Sequence, residues 1–296
     1  MLSTAEMLSM YRMQTDTILS NKCAPYTHMV PLCKSIMDKS THIMVYGASG
    51  RMGSRICALA CIDPSMRLIA PIVREQSSRI GQPMRECGDG SLRFVSPGNA
   101  VQIARSRGEV VIDFSSDEGA RHALALALAR RAALLVGTTA LSAETIATLR
   151  AASEKISVCI TPNTSIGVSA LASLVASAAR LLGPAFECSI VEAHHSKKKD
   201  APSGTALRLA RAARDAGSVI SDDQILAIRA GDVIGEHTIR FSGAGEYLEF
   251  THRATSRDLF AAGALHAARW LSDRTPGFYA MEDVLDLASR SPQNRH

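Results

Sequence analysis

Residues 42–62 read HIMVYGASGRMGSRICALACI, and this stretch sets the fold. His42 to Tyr46 is a short apolar run with strand character. It empties into Gly47-Ala48-Ser49-Gly50-Arg51-Met52-Gly53, and Ser54 to Ile62 continues as a helix. Strand, glycine-rich turn and helix are the context in which a turn holds a dinucleotide pyrophosphate against a helix N-terminus. The spacing is G-x-x-G-x-x-G rather than G-x-G-x-x-G. The glycines alone are therefore a weak signal, and the flanking strand and helix give them meaning.

Moving outward, Arg67 to Val73 reads as a second strand, followed by strands at Val110–Phe114, Leu134–Val136 and Ile156–Ile160. Helices at Ala120–Arg131 and Leu141–Ser153 separate them. Strands alternating with helices imply a parallel sheet with right-handed crossovers, whose ligands sit beyond the carboxyl ends of the strands. Asp113-Phe114-Ser115-Ser116, Gly137-Thr138-Thr139 and Thr161-Pro162-Asn163-Thr164 fall at those ends. Read by themselves the last two are ordinary loops, although their hydroxyls and amide could meet ribose and nicotinamide.

The pattern changes after Thr164. Ile166 to Leu182 is a long apolar helix stopped by Gly183-Pro184. A strand from Phe186 to Ala193 then runs into VEAHHSKKKDAPSGTAL, residues 191–207. His194 and His195 lie at the strand end, and Lys197, Lys198 and Lys199 follow. Asp200-Ala201-Pro202 turns the chain, and Ser203 caps a helix that ends near Gly217. The N–H groups of Gly204, Thr205 and Ala206 are expected to be free, and Gly204 has no side chain to block close approach. Imidazole, ammonium and a helix N-terminus converging on one small volume suit a small molecule with more than one carboxylate that also needs a proton. A lysine-rich loop can equally be a solvated turn. Metal binding is not expected: adjacent strand histidines point to opposite faces, and no cysteine or HExxH spacing supports a site.

Three short strands follow, at Gln224–Arg229, Glu236–Ser242 and Tyr247–Arg253. A small sheet with helices on one side is an α+β unit. Its other face is expected to meet a partner subunit through Ile239 and Phe241, or through Leu248 and Phe250. Ser256 caps a last long helix to Leu271, and Met281 to Ala288 is expected to pack back on the first unit.

The run Glu192 to Ala206, E-A-H-H-x-x-K-x-D-A-P-S-G-T-A, resembles the signature of the 4-hydroxy-tetrahydrodipicolinate reductases, also called dihydrodipicolinate reductases, of lysine and diaminopimelate biosynthesis. The resemblance extends from about His42 to near Ala288. It implies NAD(P)H-dependent reduction of a cyclic imine dicarboxylate to tetrahydrodipicolinate, with His194 as acid/base and Lys198 as partner proton donor. It also implies carboxylate contacts from His195, Gly204 and Thr205. Cofactor contacts are implied for Gly47, Ala48, Ser49, Gly50, Arg51 and Met52, for Gly137, Thr138 and Thr139, and for Thr161, Pro162, Asn163 and Thr164. Family members often carry an aromatic residue where Thr164 stands, and they pair their smaller sheets into tetramers. Other Rossmann dehydrogenases of amino acids lack the H-H-x-x-K-x-D-A-P-S-G-T run, and a silent nicotinamide sensor would not need its proton donors.

Cofactor choice is expected to turn on the end of the second strand, Ile72-Val73-Arg74-Glu75. An acid there binds adenosine ribose hydroxyls and repels a 2′-phosphate. Here Val73 holds the position that family members often give to Glu, and Arg74 follows, suited to a phosphate. NADPH is therefore the expected preference over NADH, unless Glu75 swings in to bind the ribose.

Composition bounds the rest. Two domains are expected from 296 residues, with 46% hydrophobic and 21% charged residues. The expected fold is α/β, a Rossmann-like parallel-sheet cofactor domain plus a smaller α+β substrate domain with an open sheet. The division is 41–163 with 258–296 for cofactor, 164–257 for substrate and oligomerisation, and 1–40 as an N-terminal extension. A net charge of +5 fits an anionic small molecule and is too weak to argue for nucleic acid. Seven cysteines, an odd number without C-x-x-C spacing, are expected to be reduced thiols in a cytoplasmic protein. The apolar stretch Ala123–Val136 is broken by Arg130-Arg131, so no membrane span is expected.

Overall fold

The computed structural model describes residues 40–88 and 90–285; the N-terminal extension, apart from Ser40, and the last residues of the tail lie outside them. The first sheet has six parallel strands. They are β1 (Thr41–Tyr46), β2 (Met66–Ile72), β3 (Glu109–Asp113), β4 (Ala133–Val136), β5 (Ser157–Ile160) and a late strand, β10 (Gly277–Tyr279). Their order is β10-β5-β4-β3-β1-β2. The order reverses between β1 and β3, where such sheets bind ligands. Successive strand side chains face opposite ways. Ile43, Val45, Val110 and Ile112 therefore enter one core and Met44, Tyr46 and Val111 the other. Burial on both faces explains why these strands read as near-continuous apolar runs.

Helix α1 (Arg51–Ile62) covers the first face together with α7 (Asp258–Leu271), which returns from the end of the chain. Helix α3 (Asp117–Arg130) covers the other face, with α2 (Pro97–Gln102) and α4 (Ala143–Ala152) beside it. Arg130, the last residue of α3, is 2% exposed. Its Nε and Nη2 donate to Glu109 at 2.8 and 2.6 Å, and its Nη1 donates to the Ile103 carbonyl at 2.8 Å. A charge buried so deeply survives only because every donor direction is used. Cys61 at the end of α1 is disulfide-bonded to Cys87, with a Cα–Cα distance of 5.5 Å. The expectation of reduced thiols is therefore corrected at this pair; Cys57, Cys159 and Cys188 are free and buried. The pairing arises because the loop after β2 folds back over α1, and spacing in the sequence does not show that.

The second sheet has order β7-β6-β8-β9, from β6 (Glu187–His194), β7 (Ile225–Arg229), β8 (Glu236–Gly243) and β9 (Glu246–Arg253). β6 runs parallel to β7 and antiparallel to β8. Helices α5 (Ile166–Leu182) and α6 (Gly204–Asp215) cover one face. That face carries Ile190, Ile239 and Phe241, each 0% exposed. Leu248 and Phe250 are the register partners of Phe241 and Ile239, so they point the same way. Ile239 and Phe241 are thus covered by the chain's own helices, which corrects their expected role as partner-facing residues, whereas Leu248 on the same side stays 41% exposed. The chain's own apolar helices take the richer apolar face, and the outer face presents Val191, Leu226, Ile228 and Tyr247, 39 to 62% exposed. The α5 helix and the turn after it are long and apolar enough by composition to cross a membrane. Val168, Leu171 and Val175 are nonetheless buried, and Leu171 and Val175 pack in the core beneath the second sheet, as in a core helix. After α7, β10 pairs with β5 at the edge of the first sheet, and Met281 and Val284 of the short α8 (Met281–Val284) bury in its core.

Candidate active site

The turn after β1 is built by glycine. Gly47 has φ +81°, and a Cβ on it would lie 2.5 Å from the Phe114 carbonyl oxygen. A Cβ on Gly53 would lie 2.2 Å from the Gly47 carbonyl oxygen. The loop and the helix start therefore approach more closely than any side chain allows. The N-cap of α1 is Gly50, which offers no side-chain acceptor. The first intrahelical bond runs from Ser54 N–H to the Gly50 carbonyl at 3.0 Å. The N–H groups of Arg51, Met52 and Gly53 are the ones the helix itself leaves over, which suits a pyrophosphate.

This turn opens on a cavity of about 1140 Å³ lined by Gly47, Ser49, Gly50, Arg74, Glu75 and Phe114, among others. Ser77, Ser78 and Arg79 line it too. Its size and its unfilled helix terminus fit a dinucleotide. Not every residue expected there presents its side chain. Ala48 is fully buried and its N–H donates to the Ile72 carbonyl at 3.0 Å. Met52 packs on the core and Arg51 is exposed. Gly137 lies under the Phe114 ring, where a Cβ would approach to 2.1 Å. Thr138 Oγ1 donates to Asp113 Oδ2 at 2.6 Å and accepts from Ser115 N–H at 2.7 Å, while Thr139 is exposed. Burial pushes the Asp113 carboxyl up to about 6, against the pull of hydrogen bonds from Ser115 and Thr138.

At the end of β5, Thr161 Oγ1 donates to the Asn163 carbonyl at 2.8 Å, and Pro162 is exposed. Thr164 is 2% exposed, and its hydroxyl donates to the Phe260 carbonyl at 2.7 Å. Its side chain therefore ties down α7. Asn163 bridges the two halves: its Nδ2 donates to Thr205 Oγ1 at 3.0 Å. One expected cofactor contact and one expected substrate contact thus share a hydrogen bond.

The second half of the site forms at the carboxyl end of β6. Ser203 caps α6, its Oγ accepting from Ala206 N–H at 3.2 Å. The cap uses the Ala206 N–H that was expected to be free and leaves those of Gly204 and Thr205. A Cβ on Gly204 would meet nothing within 4 Å, so the space before the helix is open. His194 is 8% exposed, and its Nδ1 pairs with Glu192 Oε2. His195 is half-buried, and its carbonyl accepts from Lys198 N–H at 3.0 Å. Lys198 Nζ lies 2.9 Å from Asp200 Oδ1.

Sequence reading passed over the residues beneath His194. Arg229 on β7 grips Glu192 with two donors, Nη1 to Oε2 at 2.9 Å and Nη2 to Oε1 at 2.7 Å. His237 on β8 stands edge-on to His194 with ring centres 5.1 Å apart, its Nε2 3.2 Å from Ser203 Oγ. Only the flanking of β6 by β7 and β8 brings them together, so no local spacing signals them. Burial lowers the His194 value; Glu192 opposes the shift, while Lys198 and Arg229 add to it. Burial also pushes His237 down to about 4, with His194 adding. Burial alone would raise the Glu192 carboxyl, but hydrogen bonds from Arg229, His194 and Ser203 outweigh it and hold Glu192 below the ordinary range.

Comparisons with known proteins agree across the whole described region. The family model described as Dihydrodipicolinate reductase, N-terminus, matches residues 41–164, and the one described as Dihydrodipicolinate reductase, C-terminus, matches 167–285. The 4-hydroxy-tetrahydrodipicolinate reductase of Anaeromyxobacter dehalogenans is 40% identical over 266 residues, 83% of this chain and 98% of that protein. The one from Stenotrophomonas maltophilia is 42% identical over 246 residues, 82% of this chain and 97% of that protein. Dipicolinate-bound dihydrodipicolinate reductase from Paenisporosarcina sp. TG-14 superposes with a TM-score of 0.66 at 20% identity, over 81% of this chain and 97% of that one, which speaks to the fold. With both family models matched in sequence order and the relatives aligned nearly end to end, the chain belongs to the dihydrodipicolinate reductase family.

Proposed function

We propose that His194 is the acid/base and Lys198 the partner proton donor in the reaction of this family. That reaction is the NAD(P)H-dependent reduction of 4-hydroxy-tetrahydrodipicolinate, by way of dihydrodipicolinate, to tetrahydrodipicolinate in lysine and diaminopimelate biosynthesis. The observation that carries the assignment is the convergence of His194, Lys198 and the open N-terminus of α6 beside Asn163, which reaches across from the cofactor half. The nicotinamide, when bound, supplies the hydride. The chain's own residues bind, orient and protonate. The Gly204 and Thr205 N–H groups and the His195 ring hold the substrate carboxylates. Lys198 exchanges Asp200 for a carboxylate and offsets its charge. His194 Nε2 delivers the proton to the substrate atom where charge builds up. A dianionic guest also raises the affinity of the buried imidazole for its proton, so substrate binding loads the acid.

His194→Gln is expected to lower kcat by about 10²–10⁴ while leaving cofactor affinity nearly intact. Lys198→Ala is expected to impair both kcat and substrate KM. Near wild-type turnover in the His194 variant overturns the assignment. For the cofactor, we propose a preference for NADPH, with Arg74 meeting the 2′-phosphate and Ser77, Ser78 and Arg79 beside it. Charge-assisted bonds are worth about 1.5–3 kcal/mol, so a tenfold to hundredfold advantage in kcat/KM is expected, reduced in Arg74→Ala. Equal or better use of NADH by the unmodified chain rules this out. The same reading expects a cytoplasmic homotetramer, with the outer face of the second sheet as the buried surface. Light scattering at micromolar concentration checks the assembly and cell fractionation the compartment.

A further inference from the structure

The proton step needs more than an imidazole in the right place. The ring must carry its proton on a defined nitrogen and keep the other aimed at the substrate. Residues 192 and 194 share one face of β6, because strand side chains repeat every second residue. Glu192 is 0% exposed, yet it is fully engaged. Its Oε1 accepts from Arg229 Nη2 at 2.7 Å and from Ser203 N–H at 3.1 Å; its Oε2 accepts from Arg229 Nη1 at 2.9 Å and pairs with His194 Nδ1. Arg229 Nη2 also donates to the Asp200 carbonyl at 2.6 Å. The carboxylate is thus clamped by a planar fork and a backbone amide, and a clamped carboxylate can hold a ring in one orientation. Nε2 is the nitrogen left over. A Cβ at Gly235 would lie 3.0 Å from it, so the missing side chain keeps that edge of the ring clear.

We propose that Glu192 and Arg229 are positioning residues for proton transfer: Glu192 fixes the tautomer and orientation of His194 through Nδ1, and Arg229 fixes Glu192 as an anion. The inference rests on the reading of His194 as the proton donor. The charged and titratable groups facing His194 are Glu192 on its own strand, Arg229 on β7, His237 on β8 and Lys198 in the following loop. Glu192 favours the protonated ring, and Arg229 and Lys198 oppose it. The two positioning residues should therefore move the same pH profile in opposite directions.

The test is the pH dependence of kcat in the intact chain, with cofactor and substrate saturating. As a general acid, His194 gives a limb that falls as pH rises through its value in the complex. Glu192→Gln is expected to lower kcat about 10–100-fold, to leave substrate and cofactor KM within about threefold, and to move that limb down by about one pH unit. Arg229→Gln is expected to lower kcat and move the limb up, and Arg229→Lys, which keeps the charge, to return the limb toward its original place. A residue that merely props the fold gives no opposed shifts. His194→Gln is measured beside them: undiminished turnover there defeats the proton-donor reading itself. If His194→Gln is impaired but the limb stays fixed in the other variants, or moves the same way in both, the positioning proposal falls. If Glu192→Gln does not fold, the two Arg229 variants decide: an upward shift reversed by Lys supports the proposal, and an unmoved limb overturns it.

Discussion

Replacing Gly53 by Ala should damage the cofactor site through the backbone alone. The new methyl would lie 2.2 Å from the Gly47 carbonyl oxygen, 2.7 Å from its carbon and 2.8 Å from Ala48 Cα. Comfortable non-bonded separations are about 3.5 Å, so the turn and the helix must part by about 1 Å. All three neighbours are backbone, and none can rotate away. The turn is pinned on its other side by the Gly47 and Ala48 N–H groups, both bonded to the Ile72 carbonyl at 3.0 Å. Stretching those two bonds forfeits about 2 kcal/mol, and overpacking of this kind costs about 1–3 kcal/mol in all. The better helix propensity of alanine returns at most about 1 kcal/mol. A fall in Tm of about 2–8 °C is expected. The larger effect is on binding, because a displacement of about 1 Å at a positioned group can cost about 10²-fold. Thermal unfolding and cofactor titration by fluorescence measure the two. Gly204→Ala is the control: its Cβ meets nothing within 4 Å, so Tm should hold while substrate KM rises. A Gly53→Ala protein with undiminished Tm and unchanged cofactor affinity refutes the reasoning.

Asp113 should make stability fall with pH. Its folded-state value, about 6, lies above the ordinary 3.8, so its contribution is complete below about pH 4 and is lost as pH rises through 6. The stability of the unmodified chain relative to Asp113→Asn should drop by about 3 kcal/mol between pH 4 and pH 8, measured by urea unfolding. Arg130→Met strands the Glu109 carboxylate and the Ile103 carbonyl, and should cost about 3–5 kcal/mol; adding Glu109→Gln should recover part of it. Reducing the Cys61–Cys87 bond, which closes a loop of 26 residues in sequence separation, should cost about 2–4 kcal/mol. Urea unfolding before and after reduction, with thiol titration to follow the opening of the bond and Cys61→Ser for comparison, checks that figure.

The cofactor half was legible because its signals are local. Buried parallel strands need apolar runs, and a turn that meets a helix start needs glycine, so Ile43 to Gly53 announced both strand and cradle. The capped helix at Ser203 was legible for the same reason, since a cap and its first turn lie within four residues. The family signature added roles that no local rule supplies. Strand β10 escaped notice because three residues, Gly277-Phe278-Tyr279, carry no usable periodicity.

The sequence by itself determined most of the strands and helices, β10 and α2 excepted, that the chain makes two sheets, and where His194, Lys198 and the α6 terminus stand along it. Tertiary structure alone decided which face of the second sheet its helices cover, because a two-residue alternation has two phases and only docking selects one. It alone decided that Cys61 meets Cys87, that Arg130 is buried on Glu109, and that Thr164 serves α7. It also set Arg229 and His237 beside Glu192 and His194, from strands that begin more than thirty residues further on. Bonds of 3 Å between residues far apart in the chain leave no pattern in it; they exist only once β7 and β8 have paired with β6.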